Sequence, residues 1–256
     1  MLSILYGIAL NSWKHMVRDR VFYVVLLVAT MMLGFAYLLG TLTMVESRKI
    51  LLDFGFSAVS LASGATAIYI GIASVAREIE QRTIYTVVSK HISRSMFVAG
   101  KFLGSVAVLA VAHVLRALNL TLVLYLMGEA VPSGFVACIF LMFLESLILF
   151  TFALFCSTFT SSMLATGFTV AFFLIGRSSL SFKTMAEKGI TGGARSVASF
   201  LYLVAPNLER FNIRDVVAYG RPYPDGMLGV GSAYAAAYIL FCLSASCLLL
   251  ERRDLP

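Results

Sequence analysis

Charge is what this sequence has least of. Only 13% of its 256 residues are Asp, Glu, Lys or Arg, and 60% are hydrophobic. An ordinary soluble domain carries about 25% charged residues. With a mean hydropathy of +0.91, the composition is that of a polytopic membrane protein. The net charge of +7 is then not a nucleic-acid signal. Basic residues beside apolar spans record topology and contact with lipid headgroups, so no nucleic-acid partner is expected.

Motifs that carry chemistry are also missing. There is no G-x-x-x-x-G-K-[ST] phosphate loop: Gly100-Lys101 is followed by Phe102, and position 95 is Ser. The chain is not expected to bind ATP itself. H-E-x-x-H and G-x-S-x-G are absent. The three His (His15, His91, His113) lie far apart. Cys138, Cys156, Cys242 and Cys247 fall inside apolar runs without metal-ligand spacing, and read as small buried hydrophobes. No catalytic, cofactor-binding or metal residue is assigned, and the chain is not expected to be an enzyme. Lys14, Arg18 and Arg20 follow the first apolar residues instead of preceding them, so no cleaved signal peptide is expected. No linker or internal repeat divides the chain, which reads as one domain over 1–256.

What is present is a series of long apolar runs. The reading is an all-α membrane protein with six transmembrane helices. Residues 1–20 are amphipathic, with Leu5, Ile8, Trp13, Met16 and Val17 towards one face, and are expected to lie in the interface. Spans are expected at 21–45, 54–76, 102–127, 136–159, 160–176 and 228–250. The fifth is short and borrows from a Ser/Thr-rich turn. The second is rich in small residues, including Ser57, Ser60, Ser63, Gly64 and Gly71, which let helices approach closely in lipid. Residues 46–53 read as a polar loop and 177–227 as an external loop, with 197–205 as a re-entrant or interfacial piece.

Six spans place both termini on one side. The N-terminal segment, the loop 77–101 and the C-terminus hold three, five and two Lys/Arg, while the short loops opposite hold only Arg48 and Lys49. The positive-inside rule then makes 77–101 and both termini cytoplasmic. The seven Lys/Arg of 177–227 run against that bias.

Three ionisable residues fall inside spans: His113, Arg116 and Glu145. A charge at membrane depth costs at least ~2.5 kcal/mol, so such groups face protein or water. They read either as a polar transport path or as an interhelical pair that fixes packing. Arg116 lies 11 residues below Met127, and Glu145 nine below Val136. At ~1.5 Å per residue their depths differ by ~3 Å, which predicts an Arg116–Glu145 contact with His113 on the same face.

The most charged short stretch is 77–101, REIEQRTIYTVVSKHISRSMFVAGK. It resembles the cytoplasmic loop of the type-2 ABC exporter permease family. The matching residues are Glu78, Glu80, Thr83, Ile84, Val87, Val88, Ser89, Ile92, Ser93, Arg94, Phe97, Gly100 and Lys101. His91 stands where Pro is usual, and Arg82 where Gly is common. The segment LVAPNLERFNIRDVVAYG before the last span and the basic ERRDL end agree in outline.

The resemblance implies an integral protein of the bacterial inner membrane, the permease subunit of an ABC exporter. It implies two copies of a cytoplasmic ABC ATPase as partners, with ATP and Mg bound there. It also implies a second permease subunit, either a homodimer or a related chain, and room for an accessory protein on 177–227. A coupling helix between spans 2 and 3 would dock on the ATPase through Glu78, Glu80, Arg82, Thr83, Ile84, Tyr85, Val88, Ser89, Ile92, Ser93 and Arg94. The alternatives are a stand-alone secondary transporter or channel using His113, Arg116 and Glu145, and a membrane scaffold that moves nothing.

Overall fold

The computed structural model describes residues 2–42, 47–80, 94–188, 206–224 and 226–252. All regular structure among them is helical: α1 (Leu2–Val17), α2 (Arg20–Leu42), α3 (Ser47–Glu80), α4 (Arg94–Leu126), α5 (Phe135–Phe159), α6 (Ser162–Arg177), α7 (Ser179–Lys188), a 3-10 turn (Leu208–Phe211), α8 (Arg214–Ala218) and α9 (Met227–Arg252). Five helices, α2, α3, α4, α5 and α9, are long and apolar enough to cross a membrane. The pair α6 and α7, bent by 56° at Ser178, makes up to a sixth. The all-α membrane architecture is as the composition predicts.

The helices overrun the expected loops. α3 has 34 residues and α4 has 33, each ~50 Å long against ~30 Å of hydrocarbon. Residues 47–53, expected as a polar loop, are the first turns of α3. Residues 77–80 and 94–101, expected in the charged loop, continue α3 and α4. Apolar run length reports what lipid must cover, and a helix continues past it wherever its backbone bonds continue. The segment 81–93 lies outside the described residues.

α5 is the central helix. It is apolar on all sides and buried along almost its whole length, as an all-round apolar helix in a bundle must be. α3 packs along it, α9 flanks it, and α2 lies outside α3. Lipid is as apolar as a leucine, so these contacts rest on close packing instead of escape from water. Gly71 shows how close. A Cβ there would sit 2.5 Å from the Ala153 Cβ and 2.7 Å from the Phe150 carbonyl. The small residues of the second span thus serve contacts within this chain.

α1 packs on the first half of α4. Ser12 and Met16 are buried there, and a Cβ at Gly104 would fall 2.5 Å from the Ala9 carbonyl oxygen. At the elbow, Asp19 caps α2: its Oδ1 accepts the Val21 N–H at 3.0 Å. Its Oδ2 accepts the Tyr69 hydroxyl, which ties the elbow to α3.

The expected external loop is partly a packed cap. Leu208, Phe211, Ile213 and Val217 are buried, in contact with α3, α5 and α6. Asn207 organises it. Its N–H donates to the Tyr234 hydroxyl at 3.1 Å, and its Oδ1 accepts from Arg210 N–H and Ser179 Oγ. The re-entrant piece expected at 197–205 lies outside the described residues.

Candidate functional site: three arginines on the hydroxyls of α3

Ser57, Ser60, Ser63 and Thr66 recur every three residues along α3. Three residues turn an α-helix about 300°, so each hydroxyl falls ~60° behind the last. The row winds around α3 and meets different neighbours in turn. From α8, Arg214 Nη1 donates to Ser57 Oγ at 3.4 Å. From the end of α6, Arg177 Nη2 donates to Ser60 Oγ. From the middle of α4, Arg116 donates to Ser63 Oγ at 3.4 Å and to Thr66 Oγ1. The Thr66 hydroxyl gives its own proton to the Ala62 carbonyl, which leaves its lone pairs for the guanidinium.

Glu145 is 4% exposed, near the middle of α5. It meets Arg177 as a fork: Nε to Oε1 at 3.0 Å and Nη2 to Oε2 at 3.1 Å. Two parallel charge-assisted bonds are the strongest arrangement this pair can make. The Phe173 ring lies 5.4 Å from the guanidinium carbon, within cation–π range. Beyond the fork, Asn212 links Glu209 and Arg214, accepting the Arg214 Nε–H at 2.8 Å. Burial, and then the neighbouring Arg177 charge, lower the Arg214 pKa from its ordinary value.

The expected Arg116–Glu145 contact is not formed. Arg116 turns to α3, where hydroxyls are its partners. It has no carboxylate partner among the described residues, and its Nε makes no hydrogen bond to them. Matching depth along two helices fixes height and leaves rotation free, and Arg177 fills both oxygens of Glu145. His113 does not share the contacts of Arg116. Its Nδ1 faces the Leu109 carbonyl at 3.1 Å and its ring meets Phe143 of α5 edge-on, 5.2 Å between centroids. It lines an apolar groove of about 370 Å³ between α4 and α5, with Ile139 and Phe140. A second cleft, about 590 Å³ between α3 and α6, carries the hydroxyl-bearing residues Tyr69, Ser162 and Thr166 on otherwise apolar walls.

With the ends of α5 and α6 known, depth alone favours Arg177. Glu145 lies 14 residues before Phe159, and Arg177 lies 15 after Ser162. At ~1.5 Å per residue these depths differ by ~1.5 Å, closer than the ~3 Å of the Arg116 pairing.

Of the coupling residues, Glu78 and Glu80 belong to the last turn of α3, and Arg94 opens α4. Arg82, Thr83, Ile84, Tyr85, Val88, Ser89, Ile92 and Ser93 lie outside the described residues.

The model of the ABC-2 family transporter proteins matches residues 6–255. The match covers nearly the whole chain, so this protein belongs to the ABC-2 transporter family. It is an integral membrane protein and an ABC transporter permease, a transport subunit and not itself an enzyme. Membership implies an ABC ATPase as partner. No curated protein matches the chain.

Proposed function

We propose that the chain is the permease of an ABC exporter. Two permease subunits, identical or related, work with two copies of a cytoplasmic ATPase that bind ATP and Mg. The termini and the segment 81–93 face that ATPase, in a bacterial inner membrane. The observation that carries the reading is the family match over 6–255. The overhang of α4 supports it: residues 94–101 carry this helix past its apolar run towards the segment that resembles the coupling loop, and 77–80 extend α3 the same way.

The experiment is purification of the tagged chain from its native membrane in mild detergent, with subunits identified and ATPase activity measured. The reading expects an ABC ATPase in equal number with permease subunits, and a complex holding two permeases. A chain that purifies without an ATPase and carries solute down an ion gradient would instead be a stand-alone transporter. That alternative would use His113, Arg116 and Glu145 as one path. The fork on Glu145 and the separate surroundings of His113 and Arg116 favour the first reading.

A further inference from the structure

We propose that the elbow between α1 and α2 binds the phosphate headgroup of an anionic membrane lipid. Asn11, Lys14, His15, Arg18 and Asp19 line a cavity of about 390 Å³ there. Lys14, His15 and Arg18 are exposed, and their side chains make no hydrogen bond or ion pair with any described residue. Asp19 shares the wall, with its carboxylate engaged by the Val21 N–H and the Tyr69 hydroxyl. Lys14 and Arg18, with Arg20 beside them, outnumber that one acid. Three donors around a concavity suit a phosphate, for which a lysine supplies a point charge and an arginine a planar fork.

A second observation selects a lipid over free phosphate. Directly after the elbow, Val21, Val24, Val28, Met31 and Phe35 of α2 are all exposed. Their spacing of three and four places them on one face of the helix. An unbroken apolar stripe thus begins where the basic cavity ends. A headgroup in the cavity would lay its acyl chains along that stripe. α1 cannot leave the site easily, because Gly104 and the buried Ser12 and Met16 hold it against α4.

The test is lipid retention by the full chain, read by native mass spectrometry after exchange into mixed micelles of phosphatidylglycerol and phosphatidylcholine. The wild type is expected to retain phosphatidylglycerol in preference. Lys14→Gln with Arg18→Gln is expected to lower that preference by about fivefold per cation removed. Lys14→Arg with Arg18→Lys is expected to keep most of it, and Arg221→Gln, at a distant basic residue, all of it. Equal retention of the two lipids by the wild type overturns the proposal, as does an unchanged preference in the Gln variant. Release of the bound lipid by millimolar inorganic phosphate alone would make this a free-phosphate site. Cross-linking between two chains at Val24→Cys or Val28→Cys would give the stripe to a second copy. Either result also overturns it. If the Gln variant does not fold, the wild-type lipid comparison and the Arg/Lys exchange decide.

Discussion

Arg177 closes a two-bonded fork on Glu145, Nε to Oε1 at 3.0 Å and Nη2 to Oε2 at 3.1 Å. The pair joins the end of α6 to the middle of α5 and, through Ser60, to α3. Removing one partner leaves the other charge buried, which costs about 3–5 kcal/mol. Glu145→Gln and Arg177→Gln are each expected to lower the thermal stability of the purified chain sharply. The double variant should lose less than the two losses added, because no charge is stranded. Additive losses would show that the residues are not energetic partners.

Arg116 makes a different prediction. Its partners are Ser63 and Thr66 and no described carboxylate, so its loss strands no charge. Arg116→Met is expected to cost less stability than Arg177→Gln, by about 1–2 kcal/mol if each lost hydrogen bond is of ordinary strength. Arg116→Gln and Glu145→Gln are expected to be additive, since the two side chains share no contact. Chemical denaturation of the wild type, the four single variants and the Arg116→Gln/Glu145→Gln double variant in detergent measures both statements.

Gly71 and Gly104 are expected to tolerate no side chain. A methyl at Gly71 would fall 2.5 Å from the Ala153 Cβ, and overpacking of this kind costs about 1–3 kcal/mol. Gly71→Ala should therefore lower stability and separate α3 from α5. Gly104→Leu should instead release α1 from α4 and leave the other helices packed. Limited proteolysis near residue 18 in wild type and Gly104→Leu would read that release directly.

Much of the fold was legible because lipid imposes a simple demand. Apolar runs of about 20 residues must be helices, since no other backbone satisfies its own hydrogen bonds in hydrocarbon. The runs beginning at Phe54, Val136 and Leu228 fall within helices, and those beginning at Val21 and Phe102 are helical as far as Leu42 and Leu126. The helix ends were less legible. Ser47, Arg48, Lys49 and Asp53 suggest a loop, but Leu51 and Leu52 among them are buried, and a few charges do not distinguish a loop from the first turns of a helix. Arg177 was placed outside because hydropathy ends the fifth span at Gly176, while its side chain turns back to Glu145.

The site was legible in composition and not in pairing. A glutamate in the middle of a span calls for a cation, which the sequence shows. Which cation depends on helix rotation and on where α6 ends, and only packing settles those. The small residues of α3 suggested close approach, and Gly71 uses it. Ser57, Ser60 and Ser63 have a second role as acceptors for arginine. The spacing of three, continued to Thr66, was the available signal.

The central claim is that an ATPase drives this permease by docking on the segment between α3 and α4. The resemblance places Tyr85 and Val88 among the apolar anchors of that contact. A buried aspartate among apolar anchors strands a charge, so Tyr85→Asp with Val88→Asp should abolish the association. The measurement is ATPase recovered with the tagged permease from native membranes, wild type beside this double variant, with permease yield checked in each. The account predicts a wild-type complex and a variant permease of normal yield carrying little or no ATPase. Equal recovery of a functioning ATPase with both proteins would contradict it.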